Sequence, residues 1–334
     1  MFEIKHTLCP SCSVGCGINV ILDNDEIVGT FPYKRHPVNE GKNCSNGRSS
    51  IEDIGEKIAF DSKVLDEVAG KLKSANKEKV TAVFSGNNTN EDLQAIKSLC
   101  EEKGFNILAY ADNLKDFESV ASYEDVENAS ALFVIGNVLY ENPLIGRRIV
   151  RAKENGAKIF VNDDLAGSPT ANIADEFTSL PVKEFIEKND IGDDAIIVFN
   201  NVDSSEDLDT LEKFNVLPVY SKSNTKGALS LVEATSKEDA LELLNSTEIL
   251  LVFNDDIVNE FDFDFKSISQ IIAFSPAQNN TTEIADLVIP IKFWLENGGS
   301  FTNAEGTTHE FSPVCESENM GIVEIVEKIK GELE

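Results

Sequence analysis

The chain has 334 residues, 41% of them hydrophobic, and a formal charge of −30 at pH 7 from 59 Asp and Glu against 29 Lys and Arg. That length allows two domains, or one domain and a small module, of ordinary globular composition. So large an acidic surplus excludes nucleic acid and anionic membranes as partners, because both need Lys and Arg to neutralise phosphates.

The N-terminus, MFEIKHT, has neither the basic nor the apolar region of a secretory leader, and no twin-arginine pair follows. The longest apolar runs, ALFVIG and EILLVF, are too short to span a bilayer. The expectation is a cytoplasmic chain with no membrane span, in which cysteines stay reduced. Residues 1–54 hold five Lys and Arg and seven Asp and Glu, a balance of −2 in this acidic chain. Within them INVIL and EIVGTF flank DNDE, two short strands about a turn. The same segment holds four of the six cysteines, Cys9, Cys12 and Cys16 in CPSCSVGC and Cys44 in CSNGR.

The texture changes at SSIEDIGEKIAF. From there VTAVFSG, ALFVIGN, AKIFVNDD, AIIVFNN, EILLVFND and QIIAFSP read as buried strands. Between them NEDLQAIKSLCEEKG, LIGRRIVRAKENG, SEDLDTLEKF and SKEDALELLNS read as helices, several with an N-terminal Ser or Asn followed by acids and two with a C-terminal Gly. Alternating strands and helices imply a parallel sheet wrapped by helices. Ligands would meet such a sheet at the loops SGNNTNE, GNVLYENP, NDDLAGSP and SKSNTKG. No loop carries a dinucleotide or Walker-type fingerprint.

In a reducing compartment a tight cysteine set points to metal, not disulfides. The intervals of two, three and twenty-seven residues suit a [4Fe–4S] cube, whose usual ligands are four thiolates. Three close cysteines cover three corners and a distant one closes the fourth. Gly15 and Gly17 would let the chain turn tightly about the core, with their amides and the cations Lys42 and Arg48 offsetting thiolate charge. Structural zinc is the alternative, although it usually takes two separated C-x-x-C pairs. Cys100 reads as core and Cys315 as loop. His6 reads as a surface residue, and His36 and His309 follow no metal-ligand spacing.

CPSCSVGC followed by CSNGR resembles the N-terminal cluster domain of the molybdopterin oxidoreductase family, of the formate dehydrogenase alpha and complex I large iron–sulfur subunit type. ASALFVIGNVLYENPLIGRRIVRAKENGAKIFVNDD, SKSNTKGALSL and EIADLVIPIKFWLENGGSFTNAEG are similar to later landmarks of that family, in the same order. The resemblance implies an α/β fold: a small β-rich [4Fe–4S] module at 1–54, then Rossmann-like parallel-sheet lobes. The first lobe would take 55–118 and 190–334, the second 119–189. It also implies that Cys9, Cys12, Cys16 and Cys44 are the cluster ligands.

Three departures bear on function. The region AYADNLKDFESVASYEDVENAS lacks the cysteine with which catalytic members hold Mo or W, leaving only Asp112, Asp116 and Ser119 as candidates. Asn46 stands where active members carry a basic relay residue, while Arg48 resembles the complex I subunit. The chain ends soon after FTNAEGTTHEFSP, short of the C-terminal domain that caps the second pterin. The resulting expectation is an electron-transfer subunit of a multisubunit redox complex, on a degenerate scaffold without molybdopterin and without its own catalytic metal. Its partners would be a flavoprotein or a ferredoxin-like iron–sulfur protein. The alternatives are an active Mo/W oxidoreductase completed by a partner chain, with pterin over Asn87, Asn137 and Asn224, and an assembly protein whose cluster is structural.

Overall fold

The structure is a computed structural model describing residues 2–24, 26–50, 58, 62–110, 115–192, 195–202 and 204–334. The N-terminal module is an antiparallel meander of β1 (Phe2–Leu8), β2 (Gly17–Asp23) and β3 (Glu26–Pro32), with a bulge at Ile21/Leu22. β1 was not expected. Its pattern FEIKHTL is polar enough to read as a plain N-terminus, yet it pairs residue for residue with β2. Most of the SSIEDIGEKIAF transition, and with it the expected boundary at 54, lies outside the described residues.

Beyond the module come β4 (Val80–Phe84), β5 (Asn106–Ala109), β6 (Ala131–Ile135), β7 (Lys158–Asn162), β8 (Glu176–Thr178), β9 (Ile196–Phe199) and β10 (Asn215–Pro218). They are followed by β11 (Ile249–Phe253), β12 (Gln270–Ser275) and β13 (Leu287–Pro290), and by a hairpin of β14 (Gly299–Thr302) and β15 (Thr308–Phe311). The ten central strands form two all-parallel sheets, β5-β4-β11-β12-β13 and β10-β9-β6-β7-β8. Residues 196–218, grouped by the sequence reading with the first lobe, hydrogen-bond into the second sheet. Both sheets are doubly wound, and their strand order reverses between β4 and β11 and between β6 and β9. In such folds the crevice at the reversal point is where ligands bind.

The expected helices are present as Asn90–Lys103, Pro143–Glu154, Ser205–Leu211 and Lys237–Ser246. The first is capped one residue before its expected Asn, by a capping box of Thr89 with Asp92, and ends as expected on a Gly, left-handed Gly104. Cys100 is buried in the core of the first lobe, as expected.

Two clusters hold the β-module in place. On one side Cys9, Val14, Cys16, Ile18 and Val38 join the core of the second lobe. On the other, Val20 and Leu22 pack on Leu295 and Val314, and the indole Nε1 of Trp294 donates to the Leu8 carbonyl at 2.9 Å. Among the described residues no helix is long and apolar enough to cross a membrane.

Candidate metal centre

Cys9, Cys12, Cys16 and Cys44 line a single recess, closed from the second lobe by Asn142, Pro143 and Leu144. Cys9 follows β1 directly and Cys16 precedes β2, so the meander fixes both ends of the loop between them; the Cys9 amide donates to the Cys16 carbonyl at 2.8 Å. Gly15 has φ +75°, a left-handed turn that an L side chain rarely adopts, and an added Cβ would stand 2.8 Å from Asn303 Cβ. Ser13 ties the loop to two other segments: its amide donates to the Tyr220 carbonyl at 3.1 Å, and its carbonyl accepts from Ala304 in the β14–β15 hairpin at 2.7 Å. The FTNAEG landmark is therefore the floor beneath the cysteine loop.

Gly17 has a different role from the turn expected of it. Its φ is ordinary, but a Cβ there would lie 2.4 Å from the ring of His36. Its amide donates not into the recess but to Asn39 Oδ1 at 2.9 Å. The Asn39 amide donates back to the carbonyls of Gly17 and Lys42, pinning the Cys44 loop to the strand after Cys16. Gly47 follows Cys44 by three residues; its amide donates to Cys44 Sγ at 3.3 Å, and a Cβ there would come within 3.4 Å of Cys9 Sγ.

The thiols are costly to ionise on their own. Burial pushes Cys12 up to about 12, with repulsion from Cys9 adding to it, and burial likewise raises Cys9 and Cys16. A bound cation reverses that balance, since metal-coordinated thiols are deprotonated. A tetrahedral zinc with sulfurs at about 2.3 Å would need the sulfurs within about 4 Å of one another. Among the described residues no three His, Cys, Asp or Glu gather to hold a single ion. The four thiols border one recess, with a cradle kept free of side chain by Gly47, a donor set that fits a multi-iron cluster.

The cations near the recess are not those expected. Lys42 and Arg48 are exposed and line no part of it. Arg148, 8% exposed, is the buried cation beside Cys16, where it favours the thiolate. Asn46 is exposed, its carbonyl accepting from Ser11 Oγ. The three histidines come together beside the module: His6 is exposed and stacks on Tyr33 at 4.1 Å, and His36 lies 5.1 Å from His309. Cys315 lies apart, its thiol directed to the Leu295 carbonyl.

The two reversal-point crevices differ. In the first lobe Lys222 lies between Asp255, Glu260 and the Tyr110 hydroxyl at 3.3, 3.2 and 2.8 Å, and Asn87 donates to Asp255. Asn224 is fully buried, donating to the Asn88 carbonyl and Asn90 and accepting from the Thr302 amide. A Cβ on Gly86 would meet the Thr225 backbone nitrogen at 2.6 Å. In the second lobe a crevice of about 400 Å³ is open, lined by Asn137, Glu141, Asp163, Asn200 and Asn201 among others. Of the three candidates for a Mo or W ligand, Asp116 is exposed and paired with Lys226, Ser119 is exposed beside Asn215, and Asp112 lies outside the described residues.

Residues 2–55 match the molybdopterin oxidoreductase Fe4S4 domain. Over this segment the chain is similar to the molybdopterin oxidoreductase family. It is 35% identical over 208 residues to subunit alpha of F420-dependent formate dehydrogenase 1 from Methanococcus maripaludis, covering 53% of this chain and 31% of that one. It is 27% identical over 219 residues to formate dehydrogenase H from Escherichia coli, covering 52% and 30%. The chain thus spans about a third of the length of these curated relatives. Among solved structures, acetylene hydratase from Pelobacter acetylenicus superposes with a TM-score of 0.71 over 98% of this chain and 69% of that one, at 12% identity. The formyltransferase/hydrolase complex from Methylorubrum extorquens gives 0.59 over 84% and 98%, at 14% identity. At such identities the likeness concerns the fold: a β-rich cluster module followed by parallel-sheet lobes, as this family's resemblance implied.

Proposed function

We propose that this chain is an electron-transfer subunit of a multisubunit redox complex, holding one [4Fe–4S] cluster on Cys9, Cys12, Cys16 and Cys44. The observation that carries the reading is the convergence of these four thiols on one recess, within the segment that matches an Fe4S4 domain. A [4Fe–4S] cluster supplies one-electron transfer when bound. The protein's residues hold the thiols in place through Asn39, Ser13 and Gly47, and shield them with Val14 and Leu144. Partners carrying a flavin or further iron–sulfur centres fit this role, and the likeness to formate dehydrogenase alpha subunits supports membership of a complex.

A scaffold without pterin is the favoured form of this reading. Its support is the first lobe's crevice, where Asn87 is bound to the Asp255 that pairs with Lys222 and Asn224 is buried against Asn88, Asn90 and Thr302, so neither Asn faces an open site. The exposure of Asp116 and Ser119 also disfavours either as a ligand of a buried metal. The open crevice at Asn137 favours the second reading, an active Mo/W enzyme completed by a partner chain. Anaerobic purification with its bound partners, followed by assay of Fe, sulfide, Zn, Mo, W and released pterin, separates them. About four Fe and four sulfide per chain, without Mo, W or pterin, is the expected result. Stoichiometric Mo or W with pterin would overturn the relay; zinc alone would overturn the cluster.

A further inference from the structure

The recess is not built by the module alone. Its far wall is the start of the helix Pro143–Glu154, which belongs to the second lobe. The first-turn amides of a helix carry a partial positive charge that favours nearby anions. Asn142 stands at the N-cap position, yet its side chain does not cap its own helix. It is 4% exposed, its Oδ1 accepts from Asn200 at 3.2 Å, and its side chain lines the recess together with Cys12. On the same helix Arg148 is buried over the Tyr123 ring, 5.3 Å from its centroid. Its guanidinium donates to the Val38 carbonyl at 2.8 Å and to Glu127 at 3.0 Å. Tyr123 in turn donates from its hydroxyl to the Val14 carbonyl, inside the cysteine loop.

The helix is also fastened to the module from outside. Arg147 and Arg151 both pair with Glu40, and Arg151 shares Glu127 with Arg148. One helix thus brings an amide donor, a positive helix end and a buried guanidinium to a set of four thiolates, in a chain that is otherwise strongly acidic.

We propose that Asn142 and Arg148 are positioning residues that set the reduction potential of the cluster, holding it higher than the four cysteines alone would. The inference rests on the cluster reading given above. The physical cause is that adding an electron makes the site more negative. A hydrogen-bond donor to sulfur, a helix N-terminus and a buried cation each favour the more negative state. The exposed Lys42 and Arg48 would contribute little, because water screens them.

The test is an EPR-monitored redox titration of the anaerobically purified full chain, with Fe and sulfide measured on each sample. Asn142→Asp keeps the shape and the Asn200 bond, removes the donor and adds charge. At fixed potential it is expected to lower the reduced-to-oxidised ratio about tenfold, which for one electron is about 59 mV. Asn142→Ser and Arg148→Gln should shift the same way by less, with Arg148→Lys closer to wild type. Arg147→Gln, whose partner at the module is exposed Glu40, is the control: it should lose some thermal stability but keep its potential. Full iron and sulfide with an unchanged potential in Asn142→Asp or, should that variant not hold iron, in Asn142→Ser and Arg148→Gln, would overturn the proposal and leave the helix a purely structural wall. Wild-type chain without iron and sulfide would overturn the cluster reading itself, a separate result.

Discussion

Asp92 offers a test of the interior that supports the site. It is the third residue of the helix Asn90–Lys103 and 4% exposed. Its Oδ2 accepts from the Thr89 hydroxyl at 2.7 Å and the Thr89 amide at 3.3 Å, while Oδ1 is buried without a partner. Burial lifts its pKa to about 6, from an ordinary 3.8. The folded state therefore binds the proton more tightly than the unfolded chain. Stability from the neutral carboxyl is complete below pH 3.8 and is lost as pH rises through about 6. About two pH units at about 1.4 kcal/mol each give a loss of roughly 3 kcal/mol. Asp92→Asn keeps an acceptor for Thr89 and removes the charge. It forfeits a carboxylate near a helix N-terminus, about 0.3–1 kcal/mol. The variant should then be about 2 kcal/mol more stable than wild type at pH 7.5 and no more stable at pH 4. Urea denaturation of both proteins from pH 4 to 8 measures this. Stability curves that run parallel across that range would refute the reasoning.

Gly17→Ala should be destabilised by about 1–3 kcal/mol, the usual range for overpacking, because its Cβ meets the His36 ring. It should also retain less iron, and Gly17→Ala with His36→Ala should recover iron; equal iron in Gly17→Ala and wild type would show that Cys16 is not held through this contact. Lys222→Met removes the cation from beside buried Asp255 and should cost about 3–5 kcal/mol, read by urea denaturation. Adding Asp255→Leu should restore much of that stability, whereas a single variant as stable as wild type would mean the pair does not hold the first lobe's loops together.

The cysteine set was legible because its signal is local: three cysteines within eight residues and a fourth in CSNGR. So were β4, β6, β7, β9, β11 and β12, whose apolar runs are short and end in turn residues, whereas β5, β8 and β10 at the sheet edges were not read as strands. What the sequence hid depends on distant contacts. β1 became a strand through β2, and the 196–218 stretch joined the second sheet by pairing with β6, neither of which its own residues announce. Asn39 and Asn142 look like ordinary loop asparagines until the fold brings Gly17 and Cys12 beside them. Arg148 did leave a trace. It falls on the helical stripe of Leu144, Ile145, Ile149 and Ala152, so a charge sits on the face that must be buried. Arg147 and Arg151, off that stripe, pair with the exposed Glu40.

The two crevices show why fold alone does not assign function here. Both lie where strand order reverses, and the same geometry leads to opposite fillings. At the first, Lys222 pairs with Asp255 and Asn224 is satisfied by Asn88, Asn90 and Thr302, so a ligand entering would have to break a buried ion pair as well as desolvate itself. At the second, Asn200 and Asn201 both donate to Glu141 and leave about 400 Å³ open beside them. Asn200 also donates to Asn142, and Asn142 borders the four thiols. The open crevice and the cysteine recess are thus separated by two side chains. If the proposed cluster is held there, an occupant that drew Asn200 away would loosen Asn142 at the recess, and the cluster's potential would report what the crevice holds.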